Sequence, residues 1–288
     1  MFGSVSETER EFIRQGCALG IREDGRALRD HRPLLVEVDV LPHLNGSSRV
    51  KVAGMVEVLC SVKLQVQELQ LGSPPRSALD VTVEISPSCS LKLDSRRLDD
   101  TGSHLAQQLK RVFLGSLNTA QGPMCIVPSL LCWHTQIDLL VSKLDGDPLD
   151  VCSIAVYSAL KSTQVPRVDV ILGPSGLPVD YEVVGDPASS INFPSDDLPI
   201  CTTFAKIGDS LVIDASANEH ACASTAFLSA VNRRGHCCGL MKLLGGGTFI
   251  EHELMTVLVE SRVFVPSLMG FIDANTQFYS TSRRIKSL

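Results

Sequence analysis

From Val56 to Val66 every second residue is apolar: Val56, Val58, Cys60, Val62, Leu64 and Val66. A period of two belongs to a strand with one buried face and excludes a helix, whose apolar residues return every three or four positions. A strand of this length needs partners, because its backbone donors and acceptors are otherwise unsatisfied. Candidates lie close by. Val36, Val38 and Val40 alternate with Glu37 and Asp39, Asn45-Gly46 supplies a turn, and Val50–Val52 begins a return strand punctuated by Gly54. After a loop at Gly72-Ser73-Pro74-Pro75 the alternation resumes at Leu79, Val81, Val83 and Ile85.

The period then changes. Leu105, Leu109, Val112 and Phe113 fall at helical spacing, which predicts an amphipathic helix over roughly 99–117. Residues 126–141 return to strand and Asp145-Gly146 turns the chain. Asp147-Pro148 then reads as the N-cap and first residue of a helix over 148–162, burying Cys152, Ala155, Val156, Ala159 and Leu160 and stopping before Pro166. At the N-terminus, Ser6 and Glu9 form a capping box for a helix carrying Phe12 and Ile13 and ended by Gly16 and Gly20. A strand from Val168 to Leu172 closes this half, and 173–198, rich in Gly, Pro, Ser and Asp, reads as a connection. Beyond it a hairpin is expected from Ile200–Ile207 and Leu211–Asp214, turning at Gly208-Asp209, then strands near 224–231 and 236–244 joined through Arg233-Arg234-Gly235. Gly245-Gly246-Gly247 leads into a last helix boxed by Thr248 and Glu251, with Ile250, Leu254, Val257 and Leu258 inward and Pro266 ending or kinking it. Strand runs interleaved with few helices, without regular βαβ alternation, give an α+β fold of two halves. The expected organisation is an N-terminal helix and arm (1–30), a first domain (31–172), a connection (173–198), a second domain (199–274) and a C-terminal tail (275–288).

Aromatics are 5% of the chain against 44% hydrophobic residues, so the core must rest on branched aliphatic side chains. No apolar run reaches the roughly 18–20 residues that cross a bilayer, and the first residues, Met1 to Glu11, are polar and acidic, unlike a signal peptide. The expectation is a soluble, intracellular protein with no membrane partner. The 10 cysteines include no C-x-x-C pair, and Cys60, Cys132 and Cys152 sit inside apolar patterns, so they are expected as buried reduced thiols. His236-Cys237-Cys238 is set aside as a metal site because neighbouring strand side chains point to opposite faces; neither a metal nor a cofactor is expected. A net charge of −6 opposes unaided binding of nucleic acid, so any RNA contact must come from a local patch or be shared with neighbours.

Several segments resemble the RNase PH-like family. Arg22-Glu23-Asp24-Gly25-Arg26 is similar to the family's R-x-D-G-R opening, and Gly46-Ser47-Ser48-Arg49-Val50 to its glycine-serine strand start. Cys132-Trp133, Asp145-Gly146 and the helix 148–162 follow in family order. Val212-Ile213-Asp214, Glu219 and Ala221-Cys222 resemble the opening of the second half, and Lys242 with the following glycines its end. The likeness covers about 10–270. Ser6-Glu7-Thr8-Glu9, Leu98-Asp99-Asp100-Thr101-Gly102 and Val165-Pro166-Arg167-Val168 are most similar to an inactive ring subunit of the RNA exosome. This implies an RNase PH-like fold with a ribosomal protein S5 domain 2-like first half. It also implies a place in a six-membered ring of RNase PH-like subunits beneath S1/KH caps, with an associated catalytic exoribonuclease and RNA as partners. Nucleus, nucleolus and cytoplasm are the implied locations, and 3'-to-5' RNA processing and degradation, including rRNA maturation and mRNA turnover, the implied process.

The resemblance also implies where chemistry would sit. Phosphorolysis needs an arginine and N–H donors around phosphate, plus carboxylates for a divalent metal or acid–base work. Active relatives continue the glycine turn with a Gly-Thr/Ser-Arg segment; here it reads Asp145-Gly146-Asp147-Pro148-Leu149-Asp150, with Leu149 in the arginine's place and Pro148 lacking an N–H. Asp147 and Asp150, as two charges ~5 Å apart at an effective dielectric of ~20, would repel each other by roughly 3 kcal/mol and repel phosphate too. His220 and Ala226 align with the family's two functional aspartates, while Asp214 precedes them in a structural role. The expectation is a degenerate site with no catalytic residues. Arg22, Asp24 and Arg26 are expected in a structural ion network. For RNA the candidates are Arg111, Arg97, Arg96 and Lys110, with Arg111 favoured over its neighbour Lys110, about 100° away on the helix. Gly245-Gly246-Gly247 lacks the Lys-Ser/Thr of a phosphate loop. Two rival functions are an active phosphate-dependent 3'-to-5' exoribonuclease with a displaced arginine site, and a stand-alone RNA-binding module, which the acidic balance opposes.

Overall fold

The period-two run forms the centre of the first sheet. The computed structural model describes residues 5–53, 55–68, 78–89, 95–119, 124–127, 130–172, 178–185, 189–248 and 250–286. After α1 (Glu7–Ala18) come β1 (Leu34–Val38), β2 (Gly46–Val52), β3 (Val56–Glu68) and β4 (Ala78–Ile85), then α2 (Ser95–Thr119), β5 (Cys125–Val127) and β6 (Leu131–Lys143). These strands make a 6-stranded sheet in the order β1-β2-β3-β6-β4, with β5 paired to β6. Among the described residues only β4 and β6 pair in parallel, which the long connection through α2 makes possible. The described pieces of the loops at Gly54 and Gly72–Pro75 do not include those residues, so the turns expected there lie outside the description.

α3 (Leu149–Ser162) lies at the centre of the molecule, with every residue from Leu149 to Leu160 buried. The sequence reading assigned it one inward stripe. In fact it packs against β1, β2 and β3 on one side and a second sheet on the other, and a helix covered all round can be apolar all round. β7 (Gln164–Val165), β8 (Arg167–Leu172), β9 (Pro178–Val184) and β10 (Ile191–Asn192) follow. β11 (Pro199–Ile207), β12 (Ser210–Ile213), α4 (Ala217–Cys222), β13 (Thr225–Asn232), β14 (Cys237–Leu244) and α5 (Glu251–Lys286) complete the fold. The second sheet runs β12-β11-β13-β14, all antiparallel. One core extends from Val36 through α2 and α3 to Ile200, Leu228 and Ile272, so the two halves share an interior.

Several expectations need correction. Much of 173–198 is not bare connection: β8 pairs with β9 and β7 with β10, because Val179, Tyr181 and Val183 alternate between turn residues that masked the pattern. Asn45-Gly46 is not a tight turn. Gly46 is the first residue of β2, and a side chain there would meet Thr163 Oγ1 and, at 2.7 Å, the Ala159 carbonyl, so close packing requires the glycine. Gly16 lies inside α1, and Phe12 is exposed while Ile13 is buried. Val40 lies beyond the end of β1. Cys237 and Cys238 are exposed, unlike Cys60, Cys132 and Cys152.

The last helix differs most. The reciprocal cap is made by Glu253, whose Oε2 accepts from the Ile250 N–H at 3.0 Å, and Ile250 is 65% exposed rather than inward. Pro266 sits within α5, which continues through the expected tail to Lys286. Within Glu251–Ala274 an 18-residue window reaches a mean hydropathy of 1.4, so this helix is long and apolar enough by length and composition to cross a membrane, although Glu260 and Arg262 interrupt the apolar run. Here Val257, Ser261, Val265, Met269 and Ile272 form a buried stripe against β1, β11 and β13. Ion pairs from Glu253 to Lys206 (2.6 Å), from Glu260 to Arg29 (2.8 Å) and from Asp273 to Lys161 hold the helix along its length.

Candidate functional site

The turn between β6 and α3 is where the two halves meet. Gly146 has φ +82°, and the Ala215 carbonyl occupies the space a side chain would need, so only glycine fits. Asp145 beside it accepts from Arg32 Nη1 at 2.5 Å and from the Ala217 N–H at 3.1 Å, tying the first half to the start of α4.

Around this turn runs a buried ionic network. Asp214, with φ 50° just beyond β12, accepts from Arg32 Nη2 (2.7 Å), Arg32 Nε (2.9 Å) and Arg26 Nη1 (3.1 Å). Burial alone would raise its carboxyl, but hydrogen bonds and charge from Arg32, with the charge of His31, together hold it below the usual carboxylate range. Burial likewise opposes the Arg32 charge, yet Asp214 and Asp145 overcome it and raise that guanidinium further. Arg22 donates to both carboxylate oxygens of Glu219, at 2.8 and 2.5 Å, and to the carbonyls of Ile213 and Asp214. Arg26 also donates to Asp24 at 2.6 Å. The side chains of Arg22, Asp24 and Arg26 are thus engaged within the chain.

The residues of the turn that the resemblance aligns with a catalytic segment have apolar or interior surroundings. α3 begins at Leu149, one residue later than expected. Pro148 is the N-cap and makes no side-chain cap, while Asp147 Oδ1 accepts the Leu149 N–H at 3.0 Å from one position earlier. Leu149 is 1% exposed and belongs to the main core. Asp150 is buried too, and its oxygens accept from the Thr203 N–H (2.8 Å) and contact Oγ1 (2.7 Å) on β11. Burial pushes its carboxyl up to about 8. The charges of Asp147 and Asp214 add to that upward push, so the repulsion expected from the sequence acts as a bias toward a protonated Asp150, which ties the two halves through Thr203.

His220, in α4, lies close enough to Asp147 for the two to influence each other. Burial raises the Asp147 carboxyl and lowers the His220 imidazole, each shift partly opposed by the other's charge, so the surroundings favour a neutral pair. Ala226 is fully buried in β13, opposite Ala205. The arrangement places no arginine or lysine at Leu149 and no carboxylate at Ala226. Among the described residues no three His, Cys, Asp or Glu side chains are placed to hold a metal ion.

The candidate cations on α2 separate into distinct places. Arg96 and Arg97 are exposed in its first turn. Lys110 pairs with Asp80 of β4 at 2.8 Å, whereas Arg111 is exposed on the side of β14. At 1.5 Å per residue Arg97 and Arg111 are about 21 Å apart along the axis, so they do not form one patch. Sequence reasoning missed Arg32, Asp145 and Thr203. Arg32 immediately precedes the first strand, and its position after the arginine-rich arm was the available signal; Asp145 was read only as a turn former, and Thr203 lies in an unbroken buried strand.

The chain matches the 3' exoribonuclease family, domain 1, over residues 30–166 and the same family, domain 2, over residues 197–260. It is 28% identical over 285 residues to a putative exosome complex exonuclease RRP42 of Dictyostelium discoideum, covering 83% of this chain and 87% of that protein. An exosome complex component Rrp42 of Thermococcus kodakarensis is 30% identical over 251 residues, covering 86% and 88%. Among solved structures, a chain of the Archaeoglobus fulgidus exosome with RNA bound to the active site superposes with a TM-score of 0.76 at 22% identity, covering 92% of this chain and 97% of that one. A chain of an archaeal exosome core gives a TM-score of 0.73 at 21% identity, covering 93% and 97%. At these identities the two structures speak for the α+β fold alone.

Proposed function

Because this chain belongs to the 3' exoribonuclease (RNase PH) family and carries both of its domains in order, we propose that it is a non-catalytic subunit of an exosome core ring. The observation that carries this reading is the burial of Leu149 where the resemblance calls for a phosphate-binding arginine. Phosphorolysis must stabilise a dianionic nucleophile and a developing negative charge, and preorganised donors are the usual means. Here the position is apolar, Pro148 withholds an N–H, and the nearest titratable pair, Asp147 and His220, is held toward neutrality by burial. The likeness to exosome proteins of Dictyostelium discoideum and Thermococcus kodakarensis supports the ring assignment.

In this reading the chain contributes shape to 3'-to-5' RNA processing and degradation. Its neighbours are other RNase PH-like subunits and S1/KH caps, bond cleavage lies with an associated exoribonuclease, and the complex works in nucleus, nucleolus and cytoplasm. Arg111, with Arg96 and Arg97 at the far end of α2, supplies contact to RNA, while Arg22, Asp24 and Arg26 serve the fold. The test has two arms. Purified chain with inorganic phosphate and single-stranded RNA should release no nucleoside diphosphate, and native mass spectrometry of material from its own cells should show one copy in a mixed assembly. Phosphate-dependent release abolished by His220→Ala, or a simple homohexamer, would overturn the proposal.

A further inference from the structure

Among the described residues β5 pairs only with the end of β6 that β4 does not reach: Val127 and Cys125 face Leu131 and Cys132, whereas the β4 pairing begins at His134. Within that short ladder Cys125 and Cys132 stand directly opposite each other, the one pair of cysteines so placed among the described residues. Opposite residues of an antiparallel pair project to the same face with Cα atoms about 4.5–5.5 Å apart, inside the roughly 4.4–6.8 Å that a disulfide spans. We propose that Cys125 and Cys132 are a reversible oxidation site, two thiols that exchange with a small disulfide of the glutathione type and close a cross-strand bond fastening β5 to β6. The chemistry needs only this chain and holds whether or not the ring reading does.

Core packing does not account for Cys132. Along β6 the residues Thr135, Ile137, Leu139 and Val141 turn inward, and Cys132 has the parity of His134, Gln136 and Asp138 on the opposite face. It is 3% exposed yet stands outside the main core, to which Cys60, Cys152 and Cys201 belong. Cys237 and Cys238 are neighbours along one strand and point to opposite faces. The Leu130 N–H donates to the Val127 carbonyl at 3.1 Å, so a tight turn joins the two strands in the reduced chain. Burial pushes the Cys132 thiol up, and the nearby Cys125 adds to the push, so Cys132 is a poor first nucleophile. Cys125 is only half-buried and is the point of entry. Its sulfur attacks one sulfur of the small disulfide, a mixed disulfide forms, and one small thiol leaves with the Cys125 proton. The Cys132 sulfur then attacks that of Cys125, the bond to the second small thiol breaks, and this thiol leaves with the Cys132 proton. Two protein thiols are oxidised and one small disulfide is reduced to two thiols. Where reduced thiols prevail such a bond is transient, closing when the small disulfide accumulates. β5 is three residues long with one described partner, so the bond turns a weakly held edge into a fixed one.

The test equilibrates the full-length chain with reduced and oxidised glutathione at a series of ratios, blocks free thiols with an alkylating reagent and locates the bonds by peptide mass spectrometry. A Cys125–Cys132 cross-link, lighter than the dithiol by two hydrogen atoms, should form and should disappear on adding excess reduced glutathione. Hydrogen exchange of the β5 amides should slow roughly tenfold or more in the oxidised chain. Cys132→Ser should arrest the reaction at a glutathione adduct on Cys125. Cys125→Ser should leave Cys132 free of glutathione, because the buried thiol no longer has a partner that reacts first. The second variant lies at the more open position, so it decides the order of attack even if Cys132→Ser fails to fold. A lasting glutathione adduct on Cys125 of the wild-type chain would overturn the proposal, as would oxidation confined to Cys237 and Cys238. Cross-linking seen in urea but not in the folded chain, or β5 exchange unchanged by oxidation, would overturn it equally.

Discussion

Asp150 and Asp214 are both buried carboxyl groups near one turn, yet their partners give them opposite behaviour. Asp214 has arginines and remains charged, so its contribution to stability is present above the ordinary carboxylate range and is lost as pH falls through its lowered pKa. Asp150 is buried with the Thr203 N–H and hydroxyl as its hydrogen-bond partners and no cation among the groups that shift it, and its pKa of about 8 lies far above the roughly 3.9 of an unfolded aspartate. Between those values the folded state keeps a proton that the unfolded state releases. Stability from this group therefore falls as pH rises from about 4 to about 8, by at most about 1.4 kcal/mol per pH unit, and levels off above. Asp150→Asn should remove that slope, because an amide can still accept from the Thr203 N–H and donate to its Oγ1 without titrating. Melting temperatures followed from pH 5 to 9 should converge at the acid end and separate toward pH 8, with the variant higher by several degrees. The difference between the two curves isolates Asp150 from His220, whose lowered pKa gives the opposite slope below about pH 6.5. Parallel curves would show that Asp150 is ionised in the folded protein.

At the scale of elements, α3 carries the packing of the molecule and, in the proposed reading, the departure from the family's phosphate-binding turn. Its first residue, Leu149, fills the core shared by both halves. An arginine placed there would put a cation into this apolar core, a change that ordinarily costs about 3–5 kcal/mol. Leu149→Arg should therefore lower the urea midpoint sharply and restore no phosphate-dependent cleavage; a folded, phosphorolytic variant would refute the account of the turn. Much of this was readable beforehand. Val56 to Val66, the Ser6/Glu9 box and the Gly208-Asp209 hairpin are local patterns, and local patterns survive into the structure. Gly46 and Ile250 were misread because tertiary surroundings decide them: Thr163 and Ala159 press on the first, and the second is left 65% exposed. The same holds for the site. Leu149 and Pro148 could be recognised as departures from a family motif, but the Arg32–Asp214–Asp145 network joins residues 113 and 182 positions apart, beyond any spacing rule.

On the scale of the whole chain, the shared core and the buried ion network make the two family domains one cooperative body. α3 belongs to the first domain by sequence, yet its buried face includes Ser153 and Asp150, bonded to Cys201 and Thr203 of the second. Arg32 spans the same boundary, and α5 returns from the second half to pack against β1. Breaking the interface would expose the Asp150 and Asp214 groups and uncover the apolar face of α3, so neither half retains a complete interior alone. The single tryptophan makes this measurable. Trp133 is buried in β6 of the first half, with no counterpart in the second, so its fluorescence reports one half while far-ultraviolet circular dichroism reports both. In urea the two signals should change together, with the same midpoint and slope, as for a two-state transition. A tryptophan transition separated from the dichroism change would mean that the halves unfold independently, and that the buried Arg32 network holds two finished domains in contact instead of completing one.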